Sequence, residues 1–277
     1  VLSSTGRYNP VGLTENVDVC LTARLSAGNY YWTDEYDVTA LAEQLPSGDW
    51  QTGMKAYYGF DGEPFVNAYD KSQEARLLSQ GGTMKPSLER DSLRTGNVLH
   101  QYFGANGFCS YAQMPNPLSG EEQLEGVTVS LWVKRTDDVP WDAIWSFYSP
   151  SANVRLYLTG NSYIGFNDGT GNWFDINHPN TVISDNIPVG KWCLVTLVLS
   201  RENGCTLYVN GHRVRTMIYT GECKGQAVAA ADDFDYGLVL DFIRSCPDFY
   251  LGYGSFWGSV DVRLDDLIIY SRVLTSK

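Results

Sequence analysis

The stretch that decides the fold is Ile187–Val214, IPVGKWCLVTLVLSRENGCTLYVNGHRV. Two apolar runs, Trp192–Leu199 and Cys205–Val209, flank the turn residues Arg201–Gly204, and Asn210-Gly211 opens a second turn. Runs of this kind joined by short turns predict two successive β-hairpins. The pattern continues on both sides. Strands are expected at Met54–Phe60, Phe108–Met114, Val127–Val133, Ala143–Tyr148, Val154–Leu158 and Tyr163–Phe166, then at Val214–Tyr219, Leu238–Ile243, Phe249–Tyr253 and Val262–Tyr270. Asn167-Asp168-Gly169 reads as one of the tight turns between them. No long helical period interrupts the series, so the fold class is all-β, a sandwich or barrel.

The flanking regions are less regular. Residues 63–107 read as a polar, irregular excursion with Gly81-Gly82 in its middle. Upstream, Asn16–Leu25 alternates, with Val17, Val19, Leu21, Ala23 and Leu25 on one face, and is expected as a strand. Asp37–Leu45 is a short helix candidate that Pro46-Ser47-Gly48 would end. A boundary at Pro46–Gly53 leaves residues 1–50 as an extension of one strand and one short helix packed on a main domain of residues 51–277. Trp132, on a central strand, is expected in the core.

Composition narrows the function classes. The chain has 277 residues and a formal charge of −12, from 20 basic and 32 acidic side chains, with no basic run. An electrostatic grip on nucleic acid or an anionic membrane is not expected. No apolar stretch is long enough to span a membrane as a helix. Aromatics are abundant, with 8 Trp, 18 Tyr and 11 Phe, enough to fill a sandwich core and still present ring faces to solvent. The six cysteines lack the close spacing of a zinc site. Cys223 and Cys246 bracket an acidic excursion and are the preferred disulfide, with Cys193 and Cys205 as strand residues that would be free buried thiols.

Catalytic signatures are sparse. The three histidines, His100, His178 and His212, are far apart, and there is no HExxH, no GxSxG and no P-loop. A glycoside hydrolase needs two carboxylates flanking the bond, and no alternating carboxylate run lies on a strand. Asp232-Asp233-Phe234-Asp235 falls in the acidic excursion instead.

Four segments, in order, resemble the laminin-G-like, or concanavalin A-like, jelly-roll family. They are Tyr57-Tyr58-Gly59-Phe60-Asp61-Gly62, the run Val127–Lys134 (VTVSLWVK), the central hairpin, and Leu264–Leu274 (LDDLIIYSRVL). The resemblance covers roughly residues 54–277. It implies a jelly-roll β-sandwich of two antiparallel sheets whose members mostly bind glycans or proteins, with some relatives that hydrolyse sugars. Leu156–His178 also looks like secreted or surface proteins of glycan-foraging bacteria. The expected function is therefore non-catalytic polysaccharide or glycan binding by an exported domain, secreted or held at a bacterial surface, its leader or lipid anchor trimmed ahead of Val1. A glycoside hydrolase with non-local acids and a structural or adhesion module that binds other surface proteins are the alternatives.

The resemblance also implies a structural calcium, for which Asp61 (or the Gly62 carbonyl) and Asp265 are the candidate ligands. Strand capping, or pairing of Asp265 and Asp266 with Arg263, is the alternative. For sugar, an aromatic ring stacks on a pyranose while amides and carboxylates read its hydroxyls. The densest such cluster is Asn167–His178 (NDGTGNWFDINH), with Trp173 as platform and Asp168, Asn172 and His178 as hydrogen-bonding partners. Trp141, in the Val139–Asp142 turn, is the second platform candidate.

Overall fold

The computed structural model describes residues 20–27, 30–37, 50–104, 108–136, 143–160, 162–171, 173–175, 187–216, 234–254 and 261–274. The chain divides into two compact units, residues 1–52 with 91–96, and residues 53–90 with 97–277. In the first unit, β1 (Cys20–Ala27) and β2 (Tyr30–Asp37) pair antiparallel, from Cys20 opposite Asp37 to Ala27 opposite Tyr30. One strand was expected here and the described residues hold two. The second, YYWTDEYD, hides among acidic residues that strands disfavour. The start of the first expected strand and all but Asp37 of the helix candidate lie outside the described residues.

The second unit is a β-sandwich. Its elements are β3 (Met54–Tyr58), β4 (Arg76–Gln80), β5 (Ser87–Arg90), β6 (Asn97–Gln101), β7 (Phe103–Gly104), β8 (Phe108–Pro115), β9 (Gly126–Arg135), β10 (Ala143–Ser149), β11 (Val154–Thr159), β12 (Ile164–Asp168), β13 (Trp173–Asp175), β14 (Cys193–Ser200), β15 (Gly204–Val209), β16 (His212–Thr216), α1 (Tyr236–Ser245), β17 (Asp248–Leu251) and β18 (Val262–Tyr270). Sheet I runs β13-β12-β11-β10-β17-β8-β4, with β7 on β8. Sheet II runs β16-β15-β14-β9-β18-β6-β5, with β3 on β18. The hairpins read from Ile187–Val214 form one end of sheet II, with Leu197 opposite Leu207 and Ser200 opposite Gly204.

Alternation builds the core. Val129, Leu131 and Val133 of β9, Val195, Leu197 and Leu199 of β14, and Leu264, Leu267 and Ile269 of β18 belong to one buried cluster with side chains of sheet I. Sheet I supplies Trp145, Phe147, Leu156, Leu158, Ile164, Phe166 and Phe249, with Phe147 edge-on to Phe249 at 4.9 Å. Trp132 is a correction. It alternates with the fully buried Leu131 and Val133, so it takes the outer face of sheet II and is half-buried.

Three further expectations change. The run Leu238–Ile243 is the middle of α1 and not a strand. Its buried residues Tyr236, Val239, Leu240 and Ile243 follow the helical spacing, and Asp235 caps the start by accepting from Gly237 N at 2.8 Å. Asn116 Nδ2 donates to the carbonyls of Ile243 and Cys246, satisfying the other end. Residues 63–107 hold β4 to β7 and not an irregular excursion, because short strands with one polar face carry a weak apolar signal. Cys246 is a buried free thiol, so the expected Cys223–Cys246 disulfide is not made; its Sγ donates to Asp248 O at 3.2 Å. Cys223 itself lies outside the described residues. Cys193 and Cys205 are also free and buried, and Cys109 is buried.

A polar cluster ties the β5–β6 edge to β18. Arg263 Nε and Nη2 donate to Glu89 Oε2 at 3.0 and 2.9 Å, while Tyr102 OH donates to Glu89 Oε1 at 2.9 Å. His100, 7% exposed, has Glu89 Oε1 2.5 Å from Nδ1 and Asp261 Oδ1 2.9 Å from Nε2. Arg263 is thus engaged with Glu89 and not with Asp265 or Asp266.

Candidate functional site: the outer face of sheet I

Strand pairing lines up one row of residues across seven of the eight strands of sheet I. Arg76 lies opposite Gln113, Gln113 opposite Tyr250, Tyr250 opposite Ser146, Ser146 opposite Tyr157, Tyr157 opposite Gly165 and Gly165 opposite Asp175. Each alternates with core residues such as Met114, Phe249, Phe147, Leu156 and Phe166, so the row occupies the face turned away from the core. A second row runs beside it, Tyr148 opposite Arg155, Arg155 opposite Asn167, and Asn167 opposite Trp173.

The side chains on this face are linked. Arg76 Nη2 donates to Gln113 Oε1 at 3.1 Å, Gln113 Nε2 to Tyr250 OH at 3.3 Å, and Tyr250 OH to Asp248 Oδ2 at 3.5 Å. Around Tyr250 gather Tyr111, Tyr148 and Tyr253, at ring-centroid distances of 6.2, 6.0 and 5.5 Å. Tyr253 stacks on Tyr111 at 4.6 Å and 20°. The Arg155 guanidinium lies over the Tyr148 ring at 4.4 Å, a cation–π arrangement. Burial holds the phenols of Tyr111, Tyr250 and Tyr253 above the ordinary tyrosine value, helped at Tyr250 by the Asp248 charge. They remain neutral O–H groups at physiological pH, which present ring faces and hydroxyls together.

The sequence-derived cluster is placed as follows. Trp173 begins β13 at the end of the second row, and Asp168 ends the neighbouring strand. Asp168 Oδ1 accepts from the backbone and hydroxyl of Thr170, and Asn167 Oδ1 from Gly169 N, so Asn167-Asp168-Gly169 is the expected turn. Trp141, Asn172 and His178 lie outside the described residues. Sequence reasoning missed Tyr111, Tyr148 and Tyr250. Their signal was present as tyrosines alternating with core positions, but which strands neighbour each other decides whether they meet. Among the described residues, two acidic ones have register positions on this face, Asp248 and Asp175. They stand at least four strand spacings apart, about 19 Å, far beyond the separation of a glycosidase pair.

Of the two calcium candidates, Asp265 sits at a break in β18, and Asp61 is held through its carbonyl. The β18 ladder breaks between Asp265 and Ile268, and Asp266 takes φ 49°, as the strand passes from pairing with β6 to pairing with β3. Asp265 is 3% exposed, and its Oδ1 accepts from Asp266 N. Tyr57 OH donates to Asp266 Oδ1 at 2.8 Å, and Asn97 Nδ2 to the Asp61 carbonyl at 2.7 Å. Burial first, then the charges of Asp266, Asp265 and Asp61, raise the Tyr57 phenol well above its ordinary value. Among the described residues, no three His, Cys, Asp or Glu side chains are grouped closely enough to hold a metal by themselves.

The comparisons with known proteins bear on the fold. No curated protein matches the sequence. Domain 4 of AbnA, a GH43 extracellular arabinanase from Geobacillus stearothermophilus, solved in complex with arabinotriose, is similar at a TM-score of 0.53 and 19% identity, over 80% of this chain and 94% of that one. The binding domain of Paraclostridial Mosquitocidal Protein 1 matches with a TM-score of 0.50 and 15% identity, over 81% of this chain and 50% of that one. The binding domain of botulinum neurotoxin DC, in complex with rat synaptotagmin II, gives 0.50 and 14%, over 81% and 49%. No helix among the described residues is long and apolar enough to cross a membrane. Residues 106–277, which carry β8 to β18 and the four tyrosines, match the family model of the concanavalin A-like lectin/glucanases superfamily, and the chain belongs to that superfamily.

Proposed function

We propose that this chain is an exported, non-catalytic carbohydrate-binding domain whose ligand lies on the outer face of sheet I. The observation that carries this reading is the gathering of Tyr111, Tyr148, Tyr250 and Tyr253 beside Gln113 and Arg76. Pyranose and furanose rings offer C–H faces that stack on aromatic rings and hydroxyls that need donors and acceptors. This face supplies both. Trp173, at the far end of the second row, and Asp168 are the sequence-derived candidates for a separate contact, while Asn172, His178 and Trp141 lie outside the described residues. The arabinotriose held by the similar arabinanase domain supports a glycan as the class of ligand.

The calcium expectation belongs with this reading. Asp61 and Asp265, completed by backbone carbonyls, would offer hard oxygen ligands of the kind calcium takes, and the burial of Asp265, 3% exposed, supports that reading. The ion would neutralise the carboxylates where β18 changes partners.

A glycan array of plant and host polysaccharides tests the reading, followed by titration of Tyr111→Ala and Trp173→Ala. Saturable binding that falls at least tenfold in Tyr111→Ala is expected. A blank array from folded protein, with capture of a surface protein instead, would replace the glycan with a protein ligand.

A further inference from the structure

The tyrosine face is not open along its length. Directly after β17 the chain turns back over sheet I, and Gly252–Gly254 forms a strap across it. Ser146 Oγ donates to Tyr253 O at 2.5 Å, and Arg155 Nη1 to Gly254 O at 3.2 Å. Gly252 N donates to Ile144 O at 2.8 Å, fixing the near end of the strap to β10. The approach to β10 requires glycine at position 254, where φ is 102° and a Cβ would clash with Ser146 Oγ. Gly252, at φ 75°, instead packs against the buried Gln101 of β6.

The strap divides the row. On the β10–β12 side Ser146 is 0% exposed, Tyr157 2%, Asn167 5% and Arg155 6%, with Tyr148 half-exposed. On the β17–β8–β4 side Arg76 is exposed, and Gln113, Tyr111 and Tyr253 are half-exposed around Tyr250, itself 4% exposed. Between the axes of β17 and β4 lie two strand spacings, about 10 Å, roughly the length of two or three sugar rings. A polysaccharide running through would have to pass under the strap.

From this division, and resting on the carbohydrate reading above, we infer that the site takes the end of a glycan chain or a short oligosaccharide, and that the Gly252–Gly254 strap sets this limit. Tyr253, stacked on Tyr111, is the wall against which the chain stops. Ligand contacts end at the strap, so sugar units beyond the second or third add nothing to the affinity.

Two measurements test this. In the first, an arginine-directed reagent is applied without ligand and its sites are mapped by mass spectrometry. Arg155 should label at least tenfold more slowly than Arg76 in the parent protein, and faster in Ser146→Ala, which removes the strap's hydroxyl anchor. Equal labelling of Arg155 and Arg76 in the parent overturns the strap. In the second, calorimetry follows arabino-, xylo- and cello-oligosaccharides from dimer to hexamer. Affinity that stops rising at the trimer in the parent, and climbs to the hexamer in Ser146→Ala, is expected. A steady climb in the parent would overturn the chain-end inference while leaving carbohydrate binding intact; no binding to any series would remove both.

Discussion

Replacing Glu89 with Gln removes a charge and little else, and the structure sets the cost. One carboxylate oxygen receives Arg263 Nε and Nη2, at 3.0 and 2.9 Å; the other receives Tyr102 OH and lies 2.5 Å from His100 Nδ1. Removing one partner of a fully buried ion pair costs about 3–5 kcal/mol. The Glu89 side chain is 29% exposed and that of Arg263 24%, so water recovers part of the loss. Gln also keeps one acceptor for Tyr102 or Arg263, which leaves a net cost of about 2 kcal/mol. For a chain of this size that corresponds to a fall in Tm of roughly 4–8 °C. The pH dependence carries the sign. Burial raises the Glu89 carboxyl, but the hydrogen bonds from His100 and Tyr102 and the charges of His100 and Arg263 outweigh it and hold it below its ordinary value of 4.5. The charge therefore stabilises the fold above pH 4.5, and this contribution fades as pH falls through the lowered folded value. Urea unfolding of both proteins, followed by tryptophan fluorescence from neutral pH downward, reads the difference directly. It should be full at neutral pH and shrink below pH 4.5. Equal stability at neutral pH, or a gap that widens in acid, would refute the assignment of Glu89 as the anchor of the β5–β6 edge.

Asp235→Ala should cost about 1 kcal/mol in urea unfolding, because Gly237 N loses its cap at the start of α1. The thiols of Cys109, Cys193, Cys205 and Cys246 are buried, and burial pushes Cys246 up to about 12. Peptide-mapped alkylation at neutral pH should find all four unmodified in native protein and modified after unfolding without reductant; protection of Cys246 after unfolding would mean that it is disulfide-bonded after all. Calcium at a hundred times its dissociation constant should stabilise the fold by about 2.7 kcal/mol and do nothing for Asp265→Asn, whereas an unchanged parent Tm at saturating calcium would leave Asp61, Asp265 and Asp266 as strand-end carboxylates only.

The sandwich was legible because its central strands are buried on one face by large apolar side chains at every second position. Val127–Val133 and Trp192–Leu199 announce themselves in this way, and β9 and β14 lie side by side in the middle of sheet II. Legibility falls toward the edges. Arg76–Gln80 and Ser87–Arg90 pair on one side only and keep polar side chains, so period-two alternation gives out where pairing does. Leu238–Ile243 fails for another reason. Five of its six residues are apolar, and a short apolar run carries no period of its own. Only the cap at Asp235 and the buried Tyr236, Val239, Leu240 and Ile243 reveal the helix.

The candidate site was legible only in its chemistry. Sequence reasoning sought aromatic rings next to amides and carboxylates, and found them packed within one segment at 167–178. The folded chain assembles the same ingredients from four places, since Tyr111, Tyr148, Tyr250 and Tyr253 belong to β8, β10, β17 and the turn after it. What brings them together is the insertion of β17 between β10 and β8, a crossover from almost the end of the chain into the middle of sheet I. The strap follows from the same crossover. A chain leaving β17 in the centre of sheet I must return to β18 in the centre of sheet II, and its first step passes over the outer face of β10. The topology that gathers the tyrosines thus also places a backbone segment across them. If the strap's position is set by that path, deleting Tyr253's ring should enlarge the open half of the face without unfolding the sheet, because Ser146 and Ile144 hold the strap through backbone carbonyl and amide groups that Tyr253→Ala leaves in place.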